Sequence, residues 1–452
     1  MLSTTSSLAL AIAIYLPIQH VLRHRRERQT ARKYGHKSRK DLARMTMDEA
    51  GEIMRELIEL EMTDAFNISL GYGFLQTLAF PESSALLVHT KQIHNPLQSS
   101  KRLFDTSVLM TEIVSFTPSS PRFRQAVSRI NYLHSRYGDR ITNSQLIYVL
   151  GVFACNPQIW AERWEWRSMN ELEVAALGTF WMGVGRMMRI DMREIKGCGK
   201  DDPRYLGRVW SSSSTTSEPE NEINNHDQDQ DQDEPKDDNN NNPPSWADGL
   251  DWMIDMRAYM DLHESEYLGR SEDTDALVEE TFRMMLDPLP RWIRGWVRKV
   301  AAVGFEERFR RASGVPTPPR SIERFVTYSR LFTKYFRLYL GLPRPAFLTH
   351  RAIPSHPDPI TKRYSPGAYE AYPYYVKPTF WKRYNPVALL RWVSGGDRPG
   401  DKPEKYQPEG YKIEELGPPR WMGKGLEWME ADVMRGMQVV PDGGTCPFGF
   451  GD

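Results

Sequence analysis

The stretch Pro121–Tyr137, PRFRQAVSRINYLHSRY, decides how the rest of the chain is read. Phe123, Ala126, Val127, Ile130, Leu133, His134 and Tyr137 recur at steps of three and four, which places them on one face of a helix. A strand would alternate with period two, and no long run in the chain does so. The same stepping appears upstream in Met47, Ala50, Ile53, Met54, Leu57 and Ile58. Downstream, Ser168 and Glu171 have the spacing of a capping box that opens the helix ELEVAALGTFWMGVGRMM at 171–188. The helical pattern runs from Thr46 to Tyr205 and again from Trp246 to about Tyr339, with breaks at Pro288–Pro290 and Pro316–Pro319. The predicted fold class is all-α.

Outward from this body the composition changes three times. Ser6 to Leu22 is apolar apart from Gln19 and His20, and Arg23, His24, Arg25, Arg26 and Arg28 follow at once. At about 1.5 Å per residue such a run barely spans a hydrocarbon core of roughly 30 Å. The expectation is an N-terminal membrane helix, single-pass, with the basic flank and the body on the cytosolic side. A shallow interfacial helix is the alternative. A cleaved leader is disfavoured because the charges lie after the apolar run. Ser211 to Pro244 is low-complexity and acidic, with ten acids and one lysine between Glu218 and Asp238. It cannot bury apolar surface and is expected to be a disordered insertion. The formal net charge of zero is therefore misleading, because the remainder of the chain is basic by nine charges. Beyond Gly341, Pro, Gly, Tyr and Trp dominate, which predicts an ordered coil wrapped over the helices. The expected organisation is thus an anchor and basic segment over 1–44, a helical domain over 45–210 and 245–340 interrupted by the insertion at 211–244, and a coil-rich wrap over 341–452.

Several chemistries lack their residues. The cysteines, Cys155, Cys198 and Cys446, are far apart in sequence, which argues against a disulfide framework and a paired-cysteine zinc site. There is no GxxxxGK[ST] phosphate loop and no GxSxG elbow. Asn67-Ile-Ser69 forms a glycosylation sequon that a cytosolic body would not use. No basic excess or motif indicates nucleic acid. His263-Glu264-Ser265-Glu266-Tyr267 starts like a zincin helix but has tyrosine in place of the second histidine. Two histidines stand on apolar helical faces. His134 lies within the opening stripe, with Arg129 and Arg136 at its margin. His263 follows Trp252, Met256 and Tyr259 on one face. Each is readable as a core histidine satisfied by one hydrogen bond, or as the axial ligand of a haem, a flat apolar cofactor that needs one nitrogen donor. An arginine nearby could pair a propionate or polarise dioxygen.

The runs KRLFDTSVLMTEIV (101–114), PRFRQAVSRINYLHSRYGDRITNSQLIYVLGVFACNPQIW (121–160) and ERWEWRSMNELEVAALGTFWMGVGRMM (162–188) resemble the fungal MpaB-type ER-bound oxygenases. So do the runs at 263–290, RRASGVPTPP at 310–319, GLPRP at 341–345 and PEGYKIEELGPP at 408–419. The resemblance extends to a superfamily that includes the latex-clearing protein, a haem-b rubber oxygenase. It implies a globin-like helical core around haem b, dioxygen as co-substrate, and oxidation or cleavage of a lipophilic, prenylated or terpenoid substrate in secondary metabolism at the endoplasmic reticulum membrane. Carried over by motif, RINYLH matches the arginine-bearing distal helix. That makes Arg129 the catalytic candidate, His134 the metal ligand, and His263 a second cofactor-binding candidate. Many bacterial relatives in the superfamily carry a histidine on the following helix where this chain has Leu150. That departure opens an alternative, a pseudo-oxygenase without haem that acts as a binding or scaffold protein at the membrane surface.

Overall fold

The computed structural model describes residues 4–35, 38–90, 96–199, 246–349, 351–367 and 372–439. The acidic insertion, Cys446, His226 and His350 lie outside the described residues. The described residues are all-helical, as the periodicity predicts, and the one isolated bridge among them joins Tyr364 to Tyr411.

The first half contributes α1 (Thr4–Arg23), α2 (Arg25–Tyr34), α3 (Arg39–Leu42), α4 (Met47–Glu56), α5 (Thr63–Thr77), α6 (Pro81–His89), α7 (Pro96–Ser115), α8 (Pro121–Ser135), α9 (Asn143–Trp164) and α10 (Glu171–Met187). The second contributes α11 (Gly249–Tyr267), α12 (Glu272–Leu286), α13 (Arg291–Ala302), α14 (Glu307–Ala312) and α15 (Arg320–Tyr339). Short helices α16 (Phe380–Tyr384), α17 (Pro386–Val393) and α18 (Pro403–Tyr406) punctuate the tail, and α19 (Leu426–Val439) ends it.

The core is built around α10, which is buried on every side from Leu172 to Gly185. A helix apolar all round has no solvent face and must be surrounded; here α4, α9 and α11 pack on it, and α5 pairs with α9. Two glycines set the closest approach. A Cβ on Gly178 would stand 2.0 Å from the carbonyl oxygen of Gly249, and one on Gly249 would stand 2.2 Å from that of Ala175. The α10–α11 crossing is therefore backbone against backbone. The capping box of α10 uses Asn170 with Glu173, two residues later than Ser168 and Glu171 suggest. Arg167 explains the shift, since its guanidinium makes two hydrogen bonds of 2.6 Å to Glu173 and fixes that carboxylate at the third helical position.

The N-terminal segment bears on the expected membrane helix. Ser6 to Arg23 is helical, and among the described residues no helix is long and apolar enough to cross a membrane. Gln19 ties this helix to the body. Its side chain is buried, and its amide donates to the carbonyls of Leu338 (3.1 Å) and Gly341 (2.9 Å) at the end of α15. Arg23 is likewise tucked against Trp166, 4.3 Å from the ring centroid. The uninterrupted apolar run before Gln19 is about 20 Å long, well short of a hydrocarbon core.

Beyond Gly341, the described tail packs on α7 and α8 through tyrosines. The Tyr375 hydroxyl donates to Asp105 at 2.8 Å, the Tyr411 hydroxyl to Glu112, and Tyr374 meets Ser100 at 2.9 Å. Arg122 ties the same layers together. It forms a two-pronged pair with Glu112, donates to the carbonyl of Pro354 and lies over the Tyr364 ring at 3.6 Å.

Candidate functional site

α8 begins at Ser120, whose hydroxyl accepts from the Phe123 amide, and Pro121 occupies the first turn, where its missing N–H costs nothing. This start sets the phase of the helix and turns Ile130, Leu133 and His134 towards a cavity of about 230 Å³. Leu109, Met110 and Ile113 of α7, Val149, Leu150 and Phe153 of α9, and Trp181 and Val184 of α10 form its apolar walls. Gly417 and Pro418 of the tail close one side. Gly417 has φ +114°, and a Cβ there would meet Leu133 at 2.8 Å, so the turn that seals the cavity requires glycine.

Polar groups gather at one end: Arg102, Asp105, His134 and Tyr137. His134 is half-buried and the surface it retains opens on the cavity. Burial, helped by the nearby Arg102 charge, lowers its pKa to about 4, so the ring is neutral at physiological pH. It makes no hydrogen bond to any described residue. Burial also lowers the pKa of Arg102, with the Tyr137 hydroxyl as its neighbour. Asp105 holds the seal in place: it accepts from Lys101 Nζ (2.5 Å), the Tyr375 hydroxyl (2.8 Å) and the Gly417 amide (3.0 Å). Burial nevertheless raises its pKa.

A second chamber of about 80 Å³ shares Met110, Phe153 and Trp181 with the first and runs between α4, α5 and α9 to Glu59 and Asn67. Trp181 stands between the two, stacked on Phe153 at 5.6 Å, and its indole N–H is buried with no acceptor. The same holds for the indoles of Trp164, Trp166, Trp252 and Trp421. Together the chambers approach the lower end of small-molecule sites, roughly 300 Å³.

The structure brings His134 and Leu150 to one cavity but separates the other candidates from it. Arg129 is 0% exposed and faces the tail instead: Nε donates to the carbonyl of Leu416 (2.8 Å), Nη1 to Lys424 (2.9 Å) and Nη2 to Trp421 (2.8 Å). Its guanidinium fastens the C-terminal segment. His263 is buried among four rings, Phe80 (5.1 Å), Tyr148 (5.3 Å), Tyr259 (5.6 Å) and Tyr267 (4.7 Å), away from the cavity lining. Arg102 escaped the sequence reading. Its signal was an arginine in register with Asp105, Leu109 and Ile113 on a stripe that is otherwise apolar.

The cavity offers one neutral imidazole, an apolar wall and an arginine at the polar end. These suit a flat apolar group with a metal at its centre and carboxylates at its edge. Among the described residues no three His, Cys, Asp or Glu side chains gather to hold a bare metal ion.

The class these features define is an all-helical body enclosing a two-chambered apolar cavity with one polar end. No family model matches the chain. It is 29% identical over 432 residues to the ER-bound oxygenase mpaB' of Penicillium brevicompactum, covering 94% of this chain and 90% of that protein. It is also 29% identical over 393 residues to the ER-bound oxygenase mpaB of the same organism, covering 86% and 82%. To the ER-bound oxygenase mpaB of Penicillium roqueforti it is 35% identical over 187 residues, covering 41% and 63%. Over most of its length the chain is thus similar to the ER-bound oxygenases mpaB and mpaB'.

Proposed function

We propose that this protein is a haem-dependent oxygenase of the endoplasmic reticulum surface that oxidises or cleaves a lipophilic, prenylated or terpenoid substrate with dioxygen. Oxygenase activity is supported by the relatives' names over most of the chain. The observation that carries the haem assignment is His134: a neutral imidazole with no side-chain partner among the described residues, facing an apolar cavity. In this reading a ring nitrogen of His134 would hold the iron. Arg102 provides the charge for a carboxylate at the edge of the group or for an anionic end of the substrate. The haem, when bound, supplies the activation of dioxygen. The chain's own contributions are exclusion of water by Leu109, Leu150, Phe153 and the Gly417 seal, and orientation of an extended apolar chain past Trp181 into the second chamber. A globin-like arrangement of helices around the group belongs to the same reading.

The test is spectroscopic. Full-length protein is expected to show a Soret band near 400 nm, and His134→Ala to lose or shift it while circular dichroism stays helical. An unchanged band in His134→Ala would move the ligand elsewhere. Absence of any band in haem-supplemented protein would favour the pseudo-oxygenase reading, which has its own observation: Leu150, at the position of the superfamily histidine, lines the cavity and cannot ligate.

A further inference from the structure

A helix of 20 residues with no buried residue calls for an explanation, and α15 is one. Phe325, Tyr328, Phe332, Tyr335 and Tyr339 step by three and four along it, all exposed, with Phe332 at 71%. Its other face meets the body, where Arg337 pairs with Asp64 and Glu165. α13 lies beside it and adds Trp292, 82% exposed, and Trp296, whose ring lies 5.6 Å from that of Phe325. α1 extends the patch from the other end: it packs on α15 through Gln19, and the Tyr15 hydroxyl donates to the Leu340 carbonyl. Its Leu10, Ile14, Ile18 and Val21 remain exposed. α1 and α13 both pack on α15, and the three helices leave far more apolar and aromatic side chains exposed than the scattered residues of an ordinary monomer.

The charges name the occupant. Arg291, Lys299, Arg320, Arg324 and Lys334 border the patch and meet no acid among the described residues, and Glu323 is the one acidic residue of α13 and α15. Two copies meeting symmetrically through this face would set these cations against their own equivalents. A bilayer does the opposite. Trp and Tyr settle at the level of the headgroups, Phe and Ile enter the acyl boundary, and Lys and Arg reach up to anionic phosphates.

We propose that the joint face of α13, α15 and the exposed side of α1 is a bilayer-contact surface that seats the body of the protein on an anionic leaflet. The second chamber of the cavity ends at Glu59, whose carbonyl accepts from Arg344 just beyond α15, so its far end lies on the flank that adjoins this surface. The inference stands apart from the haem chemistry, and its failure leaves the Soret test intact.

Flotation of the full-length chain with vesicles of phosphatidylcholine alone, or with about a third phosphatidylserine, tests it. The combined variant Trp292→Ser, Tyr328→Ser, Phe332→Ser alters exposed side chains and leaves α1 whole. It is expected to lower the bound fraction at least tenfold with unchanged circular dichroism. Arg324→Gln with Lys334→Gln is expected to remove the preference for anionic vesicles while binding to neutral ones persists. Quenching by brominated acyl chains is expected to be weaker in Trp292→Phe than in the parent. Unchanged flotation of the triple variant overturns the proposal and leaves α1 as the sole attachment. So does a self-associated protein in vesicle-free buffer that the triple variant converts to monomer, since the face then belongs to a second copy.

Discussion

Arg129 illustrates how a residue can be located by sequence and still be given the wrong neighbours. Its place on the margin of the His134 stripe follows from spacing, but its three acceptors are the carbonyls of Leu416, Trp421 and Lys424, and no local pattern connects positions so far apart. Each buried carbonyl left without a donor costs about 1–3 kcal/mol. Arg129→Met is therefore expected to destabilise the protein by about 3 kcal/mol or more, measured by urea unfolding, and to expose 416–424 to protease first. A residue acting on substrate would instead lower turnover and leave the unfolding midpoint in place. A second residue sets a pH dependence. Burial lifts the Glu264 carboxyl to about 7, outweighing the attraction of Arg308 at 3.0 Å. The folded state then binds a proton that the unfolded state releases above about 4.5. This contribution to stability is fully present below about 4.5 and is lost as pH rises through about 7. Between pH 5 and pH 8 the urea midpoint is expected to fall less in Glu264→Gln than in the parent, and an equal fall in both would remove Glu264 as the cause.

At the scale of elements, helix existence was legible because a stripe at steps of three and four has one physical meaning, burial of one face. Pro288–Pro290 and Pro316–Pro319 end helices where expected, since proline cannot continue the hydrogen-bond ladder. The breaks at Leu268–Ser271 and Val303–Glu306 carry no proline and depend on packing instead. α15 shows a subtler limit. Its aromatic stripe has the period of a core-facing helix yet points outwards. Periodicity reports that one face is apolar and does not say what covers it. The α10–α11 crossing was also illegible, because glycine in a helix reads as a weakness until the opposing backbone is seen. Gly178→Ala must push the two helices apart, and overpacking of this kind costs about 1–3 kcal/mol. The expected result is a lowered thermal midpoint, with a smaller effect for alanine at Gly71, where a Cβ meets nothing within 4 Å.

For the whole molecule, the sequence conveyed the helical class and the position of His134, while Arg102, the Gly417 seal and the second chamber emerged from contacts across the full chain. The tail matters most here. Gly417 and Pro418 form part of the cavity wall; Asp105 holds the Gly417 amide from 312 residues earlier, and Arg129 holds the adjoining Leu416 from 287. The ribosome must therefore make everything up to residue 418 before the chamber can close. Contacts of such separation form late, because the intervening loop must first be ordered. Until then the apolar walls of α7, α8 and α9 stand open in the nascent protein. A flat ligand of the proposed kind would have its widest access in that interval, so the order of synthesis itself would set a window for loading, which the turn at Gly417 and Pro418 then bolts shut.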